Sequence, residues 1–354
     1  MKTSVIYSPR YLDHDPGYDH PDTPRRLQVI IEELDRNGVF ESEKCSLVKP
    51  KPATIETVEL VHEHDYVQLV QRICASGGGV LDLGDTVANR ESFEVALLAV
   101  GGVLEAADLV ASGKCKNAFA LVRPPGHHAG AYYAMGFCLF NNIAITAKHL
   151  LRDKGLDRIL ILDLDVHHGN GTQDIFYDTD RVLYVSLHQD PRGFPGTGFA
   201  DEIGEGNGLG YTVNIPFPYK IDDQIYVKAF NEIVVPIAQQ YKPQFILISA
   251  GFDGHYTDPI GGLALSTNCY TKVFSKTLDL AAQLCGGKLV ATLEGGYSLS
   301  FLGKIVTAVM SKMANFAYVV RDSHPVSSAR THKRAEQIMK DVKRVQSSFW
   351  RFDP

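Results

Sequence analysis

The sequence predicts a single α/β domain in which helices cover both faces of a mostly parallel, multi-stranded sheet. Short runs rich in valine, isoleucine, leucine and phenylalanine alternate with longer amphipathic stretches. These runs are continuously apolar, which indicates strands that are buried on both faces. The 354 residues exceed one average domain, but no linker or change of composition divides them. We therefore expect one domain over 1–354, with 323–354 as a C-terminal helical extension.

Six apolar runs are predicted strands, and three longer stretches between them are predicted helices. The predicted strands cover residues 3–8, 118–122, 158–166, 181–188, 245–253 and 288–296. The predicted helices cover residues 92–113, 141–155 and 223–241. Five of the six strands end in or near polar or glycine-rich segments. Because ligands of open parallel sheets bind outside the carboxyl ends of the strands, these polar residues should converge on one edge.

Charge and cysteine usage exclude several classes of protein. A formal net charge of −6 argues against a protein that binds the phosphate backbone of nucleic acids, so we expect no direct nucleic-acid partner. The six cysteines lack a CxxC pair, which favours neither a disulfide framework nor a thiolate metal site. The N-terminus has no signal-peptide pattern, and no segment reaches the roughly 18 apolar residues of a membrane span. The sequence thus predicts a cytoplasmic protein without a membrane segment.

The segment 159–171, ILILDLDVHHGNG, places ionisable residues at the end of an apolar strand. Side chains on a strand alternate between faces, so Asp163, Asp165 and His167 should project to one side. Three such donors suit a metal site. The alternative is that the aspartates only cap the following helix, but that interpretation leaves the two adjacent histidines unexplained.

A second strand end offers a third metal ligand. Asp253 closes the predicted strand 245–253. Catalytic zinc sites typically use three protein ligands and keep a fourth position for water, and Asp165, His167 and Asp253 would form such a set. His255 is a rival ligand, although a histidine in a glycine-bearing loop more often lies at the surface or behind the ligands.

Two further strand ends carry candidate catalytic groups. In RPPGHHAG, His127 and His128 offer a base and an acid for a metal-activated water. Asp163 could orient one ring of this pair and Asn170 the other. In LEGGYS, two glycines permit a backbone path that brings Tyr297 over the strand ends, where its phenol could donate to an oxyanion. Taken singly, each group is also compatible with a polar loop or with simple packing.

Taken together, these segments resemble one family. RPPGHHAG, GFCLFNNIAI, DLDVHHGNGTQDIFY, SLHQDPRGFPGTG, SAGFDGHYTDPIGG and EGGYS are similar, in order and spacing, to the signature of the zinc-dependent histone deacetylases of the arginase/deacetylase superfamily. The resemblance runs from about Tyr7 to at least Phe301. The variants HHGNG, HPDTPRRL and DPIGG are more similar to class II and to prokaryotic deacetylase-like amidohydrolases than to class I.

The resemblance implies a role for each candidate in the site. The metal ligands would be Asp165, His167 and Asp253, in agreement with the spacing argument. The general base and acid would be His127 and His128, with Asp163 as partner of the first and Asn170 of the second. The family tyrosine that polarises the substrate carbonyl matches Tyr297. The implied cofactor is one Zn²⁺ per chain, with Fe²⁺ as an alternative in vivo.

The resemblance also implies two structural monovalent cation sites for K⁺. The first would be formed by Asp163, Ser186 and the backbone carbonyls of Asp165, His167 and Leu187. The second would be formed by the backbone carbonyls of Phe176, Thr179, Val182 and Tyr211.

An acyl-lysine tunnel is implied by Gly136, Phe137 and Phe194, where two aromatic faces would flank the lysine methylenes. Asp85 matches the rim aspartate that holds the substrate backbone in the family, with a one-residue ambiguity of alignment. Ile260 occupies the position at which polyamine-preferring relatives carry a glutamate. An apolar side chain there cannot attract a second ammonium, which favours acyl-lysine over acetylpolyamine as substrate.

The implied activity is zinc-dependent hydrolysis of acetyl or acyl groups from the lysine ε-amine of proteins or from small amines. The partners would then be an acetylated lysine peptide, an acetylated protein or an acetylated small amine, and the sequence leaves a homo-oligomer open. One alternative is an acetylpolyamine amidohydrolase, and another is a catalytically weak acetyl-lysine-binding module. An arginase-like enzyme with two manganese ions would need a further aspartate after His167, where the chain reads HGNG.

The C-terminal segment 331–350 is basic and could be read as a nucleic-acid-binding arm. Its apolar periodicity favours a terminal amphipathic helix instead. In that interpretation the charges stay in water, and the docked residues are Ile338, Val342, Val345 and Phe349.

Overall fold

The computed structural model describes residues 1–352 and confirms the predicted α/β fold. Within these residues the strands are β1 (Thr3–Ile6), β2 (Cys45–Val48), β3 (Gly78–Val80), β4 (Val87–Asn89), β5 (Asn117–Ala120), β6 (Ile159–Asp163), β7 (Val182–Gln189), β8 (Thr212–Phe217), β9 (Phe245–Ala250) and β10 (Leu289–Leu293). Eight strands form one parallel sheet in the order β2-β1-β5-β10-β9-β6-β7-β8. The other two, β3 and β4, pair with each other in antiparallel fashion.

The helices connect and cover these strands. They are α1 (Arg25–Arg36), α2 (Ile55–Val58), α3 (His64–Ala75), α4 (Ser92–Ala111), α5 (Asn142–Asp153), α6 (Asn170–Phe176), α7 (Asp223–Ala229), α8 (Val235–Tyr241), α9 (Thr267–Cys285), α10 (Leu302–Ala314) and α11 (Ala329–Gln346). Over residues 1–352, every helix is too short or too polar to cross a membrane.

The order of the strands places the helices in two layers. The connections through α4, α5 and α6 cross the sheet in one direction, and those through α1, α7–α8 and α9 cross it in the other. Because parallel crossovers are almost always right-handed, the two sets cover opposite faces. The packing agrees, since α4 lies against α5 while α10 lies against both α1 and α9. With helices on both faces the sheet is the core, and every residue of β6 and β9 is buried.

The six predicted strands are all present, but five of them end two or three residues earlier than the sequence suggests. The strand β6 ends at Asp163 and β9 at Ala250. Asp165 and His167 therefore lie in the turn beyond the strand, and strand alternation is the wrong explanation for their common direction. The edge strands β2 and β8 are not predicted by the pattern, because β2 is short and partly exposed and β8 contains Asn214 and Pro216.

The predicted helix 223–241 is present as α7 and α8 joined by a π-helical turn at Phe230–Val234. Pro236 lies in the first turn of α8 and lacks a backbone N–H. The regular hydrogen bond from this position to the residue four earlier cannot form, which accounts for the local change of helical pitch.

The C-terminal segment forms α11, which packs against β8 and α7. Val342 is buried as predicted, but Phe349 is 38% exposed while Trp350 is 7% exposed. The Trp350 indole donates to the carbonyl of Gly210 at 2.8 Å, and the partly exposed Phe349 ring also packs on Gly210, where an added Cβ would lie 2.4 Å from Phe349 Cγ. The helix thereby covers the edge of the sheet beside β8. Residues 353–354, the last two of the predicted extension 323–354, lie outside the described residues.

Candidate active site

The candidate site lies at the carboxyl edge of the sheet, where the loops that follow five strands meet. These strands are consecutive neighbours in the order β5-β10-β9-β6-β7, so their loops lie side by side. The loop after β5 carries the paired histidines, the loops after β6 and β9 carry the predicted metal ligands, the loop after β10 carries Tyr297, and the loop after β7 carries Phe194. The convergence that the strand ends predict is therefore present.

The structure brings the three predicted metal ligands together. The Nδ1 atom of His167 lies 3.3 Å from Asp165 Oδ1 and 3.1 Å from Asp253 Oδ2. One ligand atom from each residue lies within 4.8 Å of the others, and all three residues are buried. Two carboxylates and one imidazole are a donor set that suits a catalytic Zn²⁺ with an open position for water.

Backbone donors fix the orientation of the carboxylates. The N–H of Asp165 donates to Asp163 Oδ1 at 3.2 Å, and the N–H of His167 donates to Asp165 Oδ1 at 2.9 Å. Each of these two hydrogen bonds joins residues two positions apart, and together they stabilise the turn that follows β6. The N–H of Gly295 donates to Asp165 Oδ2 at 2.8 Å. A Cβ at Gly295 would lie 2.4 Å from Asp253 Oδ2, so this close approach requires glycine.

The three buried ligands perturb one another electrostatically. Burial, together with the neighbouring Asp165, raises the pKa of Asp253. Burial alone would lower the pKa of His167, but hydrogen bonds to Asp165 and Asp253 outweigh it and raise this pKa to about 10. One oxygen of each carboxylate lies within 4.8 Å of the other, and a positive charge shared between two such carboxylates lowers the cost of ionising both. A divalent cation would supply that charge, which supports a metal site.

The paired histidines lie beside the predicted ligands, with ring centroids 3.9 Å apart and the ring planes tilted by 46°. His127 Nδ1 lies 3.2 Å from Asp163 Oδ2, and His128 Nδ1 lies 2.7 Å from Asn170 Oδ1. Burial would lower the pKa of His127, but the carboxylates of Asp163 and Asp165 raise it to about 10. The pKa of His128 is lowered well below 6.5 by burial and by the neighbouring imidazoles of His127 and His167. The two rings thus differ in their affinity for a proton.

Tyr297 is held over the strand ends by its backbone and by a cation. Its N–H donates to Asp258 Oδ2 at 2.7 Å, and the guanidinium carbon of Arg26 lies 4.7 Å from the ring centroid. Arg26 also donates to the carbonyls of Gly296 and Glu294, at 2.6 and 2.5 Å. Burial raises the pKa of Tyr297 far above 10, so the phenol keeps its proton.

The two aromatic residues of the predicted tunnel contact different residues of the candidate site. The ring of Phe194 lies edge-on to His128 and His167, with centroids 5.0 and 5.6 Å away. The ring of Phe137 lies edge-on to Tyr297 at 5.9 Å. Gly136 has φ +54°, and a Cβ there would lie 2.4 Å from His128 Cδ2, so glycine lets the tunnel wall approach the histidine.

Asp85 and Ile260 lie near the outer rim of the site. The carbonyl of Asp85 accepts from His20 Nε2 at 2.8 Å, and the His20 ring lies edge-on to Phe137 at 4.7 Å. Ile260 is 37% exposed and lines a surface groove of about 780 Å³ together with Tyr297. The loop of Asp85 thus contacts Phe137 through His20, and Ile260 shares a groove with Tyr297, while the substrate-binding roles of Asp85 and Ile260 stay predictions.

The predicted cation-site residues lie beneath the candidate active site and near the other end of α6. Ser186 is paired in register with Asp163, and its hydroxyl lies 2.8 Å from His188 Nδ1. The carbonyl of Leu187 accepts from the Tyr226 hydroxyl at 3.4 Å. In the second predicted set, the carbonyls of Phe176 and Tyr211 accept backbone N–H groups, while Thr179 lies between α6 and β7 and Val182 is the first residue of β7. Potassium binding at either set stays a prediction.

His255, the rival ligand, points away from the metal ligands. Its Nδ1 lies 2.8 Å from Thr257 Oγ1, and its Nε2 lies 3.1 Å from Asp322 Oδ2. Both ring nitrogens of His255 thus form hydrogen bonds outside the predicted ligand set.

A second group of metal-capable atoms is formed by His127, Cys138 and Glu294. Its carboxylate already accepts two backbone N–H groups and the Ser249 hydroxyl, which accounts for its position without an ion.

Sequence reasoning misses a buried ion network behind the site. Asp22 accepts from Arg26 Nη1 at 2.5 Å and from Arg123 Nε and Nη2 at 3.0 and 3.1 Å. All three side chains are fully buried. Since Arg26 contacts the ring of Tyr297, the network connects the core to the candidate active site. The available signal was the charged phrase HPDTPRRL, but a charged residue in a sequence does not show that it is buried.

Comparisons with known proteins agree with this architecture. Residues 20–313 match the family described as "Histone deacetylase domain". A "Probable deacetylase" of Archaeoglobus fulgidus is 42% identical over 360 residues, which cover 99% of this chain and 99% of that protein. "Histone deacetylase 15" of Arabidopsis thaliana is 38% identical over 355 residues, covering 98% of this chain and 62% of that protein. The solved structure described as "Crystal Structure of HDA15 HD domain" superposes with a TM-score of 0.88 at 37% identity, covering 98% of this chain and 97% of the other.

Fold, family match and relatives together define a hydrolase that acts on amides. The chain belongs to the histone deacetylase family, and the resemblance seen in its motifs is confirmed. It is a deacetylase.

Proposed function

We propose that the protein removes acetyl groups from lysine ε-amines, or from small amines, with one Zn²⁺ bound by Asp165, His167 and Asp253. The observation that carries the proposal is the convergence of three buried metal-capable side chains, a histidine pair and the loop of Tyr297 at one sheet edge. When bound, Zn²⁺ supplies a Lewis acid that polarises the acetyl carbonyl and lowers the pKa of water.

The protein's own groups divide the remaining work. His128 adjoins Phe194 and the Gly136 wall of the tunnel, so we assign it the transfer of protons at Nε2. It removes a proton from the attacking water and then delivers a proton to the lysine nitrogen as the C–N bond breaks. His127 holds a proton toward Asp163, which stabilises negative charge that develops on the substrate. The products are acetate and the free amine.

Tyr297 is assigned to the substrate carbonyl. Its protonated phenol can donate to the oxygen that becomes an oxyanion in the tetrahedral adduct. Phe137 and Phe194 flank the approach with aromatic surfaces that fit the methylenes of a lysine side chain. Ile260 offers no charge for a second ammonium, which supports acyl-lysine over an acetylpolyamine.

Six free and buried cysteines fit a reducing compartment, and on this basis we propose a cytoplasmic location.

The proposal is tested by substituting Tyr297 with phenylalanine. We expect kcat on an acetyl-lysine peptide to fall by about 100- to 1,000-fold, because one donor to the oxyanion is removed. Zinc binding should stay at one ion per chain, because the hydroxyl lies outside the predicted ligand set. Steady-state kinetics and metal analysis of the same preparation measure both quantities.

The substrate class is tested with acetyl-lysine peptides, longer-acyl lysines and acetylpolyamines. Each should be assayed with metal-stripped protein and with protein restored by zinc or by iron. Turnover of acetyl-lysine that requires one metal ion per chain supports the proposal. Activity that survives both chelation and Tyr297→Phe would contradict the mechanism, and a preference for acetylpolyamines would contradict the assignment to lysine.

A further inference from the structure

A chain of three hydrogen bonds leads from His128 to the protein surface. His128 Nδ1 lies 2.7 Å from Asn170 Oδ1, and Asn170 Nδ2 donates to the hydroxyl of Tyr133 at 3.0 Å. The Tyr133 hydroxyl in turn donates to Asp174 Oδ2 at 2.6 Å. Asn170 is buried, Tyr133 is half-buried and Asp174 is exposed. We call Asn170, Tyr133 and Asp174 the His128 relay.

The donors and acceptors of this relay fix its direction. A carboxylate can only accept, so the single proton of the Tyr133 hydroxyl points to Asp174. The tyrosine oxygen is then free to accept from the Asn170 amide, whose own oxygen is left to accept from His128. His128 must therefore carry its proton on Nδ1, which leaves Nε2 as the nitrogen that faces the tunnel.

The relay gives His128 a charged partner at a distance. His127 is paired directly with the carboxylate of Asp163, whereas the direct partner of His128 is a neutral amide. Hydrogen bonds in series polarise one another, so an anion at one end strengthens the acceptor at the other. Asp174 thus increases the negative character of the Asn170 oxygen through Tyr133.

We propose that Tyr133 and Asp174 are positioning residues that orient His128 and stabilise its imidazolium through Asn170. The inference rests on the proposed function, because it takes His128 as the group that moves protons. Tyr133 and Asp174 do not touch the reacting atoms. They act on the second histidine as Asp163 acts on the first, with two side chains interposed.

The packing of the Tyr133 ring allows the role of its hydroxyl to be tested separately from that of the ring. The ring lies against the loop that follows the histidine pair, since a Cβ at Gly130 would lie 2.2 Å from Tyr133 Cε1. The N–H of Gly130 also donates to the Tyr133 carbonyl at 3.1 Å. Phenylalanine at this position keeps the ring and the backbone contacts and removes only the hydroxyl.

The first test compares kcat and KM of Tyr133→Phe and Asp174→Asn with those of the wild type on an acetyl-lysine peptide. Each variant should lower kcat by about 2- to 10-fold, the range expected for loss of one hydrogen bond, and leave KM unchanged. Matched controls are Tyr132→Phe, whose ring is 67% exposed, and Asp178→Asn, which removes an exposed charge four residues further along the chain, just beyond the end of α6. Both controls should retain the wild-type kcat.

The second test places the charge next to the histidine. In an Asn170→Asp background His128 has a direct carboxylate partner, so adding Tyr133→Phe should change kcat by less than about 2-fold. An equal loss in both backgrounds would show that Tyr133 acts on the fold and not through Asn170, and it would overturn the proposal. An unchanged kcat in Tyr133→Phe alone would overturn it as well.

His128→Ala separates this proposal from the proposed function. If that variant loses activity while Tyr133→Phe keeps the wild-type kcat, only the relay is wrong. If His128→Ala keeps the wild-type kcat, the proposed function fails and the relay fails with it.

Discussion

Replacing Asp22 with alanine is expected to destabilise the protein by about 3–5 kcal/mol, because removal of one partner leaves buried charges without compensation. Asp22 is the shared partner of Arg26 and Arg123, and all three side chains are fully buried. Two guanidinium groups would remain in the core, and among residues 1–352 Asp22 is the carboxylate with which each of them forms an ion pair. The free energy of unfolding, measured by urea denaturation, checks the prediction.

Asp13→Ala is the matched control. Asp13 forms an ion pair with Arg10 at 3.2 Å, but its side chain is 45% exposed. Exposed pairs contribute about 0–1 kcal/mol, so this variant should unfold close to the wild-type urea concentration. A free energy of unfolding for Asp22→Ala within about 1 kcal/mol of the control would contradict the assigned role of the network.

The same network makes a prediction about acid stability. Burial alone would raise the pKa of Asp22, but Arg123, His14 and Arg26 outweigh it and lower this pKa below its ordinary value near 3.8. A carboxyl whose folded pKa is depressed stabilises the fold above the unfolded pKa, and that contribution is lost as the pH falls through the folded pKa. The difference in stability between wild type and Asp22→Ala should therefore shrink as the pH falls below about 4. A difference that stays constant down to pH 2 would contradict the sign of this shift.

Removal of the Asp22 side chain should also disturb the position of Tyr297 in the candidate active site. Arg26 donates to the carbonyls of Glu294 and Gly296 and lies over the ring of Tyr297. These carbonyls belong to residues three positions and one position before Tyr297 in the chain. If Asp22 no longer holds Arg26, the tyrosine loses the support that fixes its backbone and its ring. The buried network thus links the stability of the fold to the geometry of the proposed oxyanion donor.

The sequence predicts the central strands and the convergence of their loops because both depend on residues that are close together in the sequence. A continuous apolar run indicates a buried strand, and Asp165, His167 and Asp253 are residue types that a strand end uses for chemistry rather than for packing. The rule that ligands bind at the carboxyl ends of parallel strands then brings these residues together without coordinates. The paired histidines follow by the same logic.

Other features depend on contacts that no local pattern carries. Asp22 and Arg123 are 101 residues apart, and nothing near either residue shows that they meet in the core. The edge strand β8 contains Asn214 and Pro216, which weaken its apolar pattern, and its order appears only through pairing with β7 and cover from α11. The docking of Trp350 depends on the carbonyl of Gly210, which lies 140 residues away in sequence.

The largest loss of activity is expected for Asp253→Asn. The carboxylate of Asp253 is fully buried, and its Oδ2 lies 3.1 Å from His167 Nδ1 in the proposed ligand set. Loss of a residue that only supports a ligand typically costs 10- to 100-fold in metal affinity, so loss of a charged ligand should cost more than about 100-fold. Zinc affinity measured by chelator competition should fall by this amount, and hydrolysis at limiting zinc should be abolished.

Asparagine is the informative replacement because it keeps the shape of the buried side chain. Its Oδ1 can still accept the N–H of Val166, a bond that Asp253 makes at 2.9 Å, so the loop after β9 should keep its path. The matched control is Asp163→Asn, which changes an equally buried carboxylate that contacts His127 Nδ1 and the backbone N–H of Asp165 but supplies no atom to the proposed ligand set. That variant should lose kcat but keep most of its affinity for zinc. If Asp253→Asn instead retains the wild-type zinc affinity while Asp163→Asn loses it, the ion is held by the residues around the histidine pair, and the ligand set proposed from the strand ends is wrong.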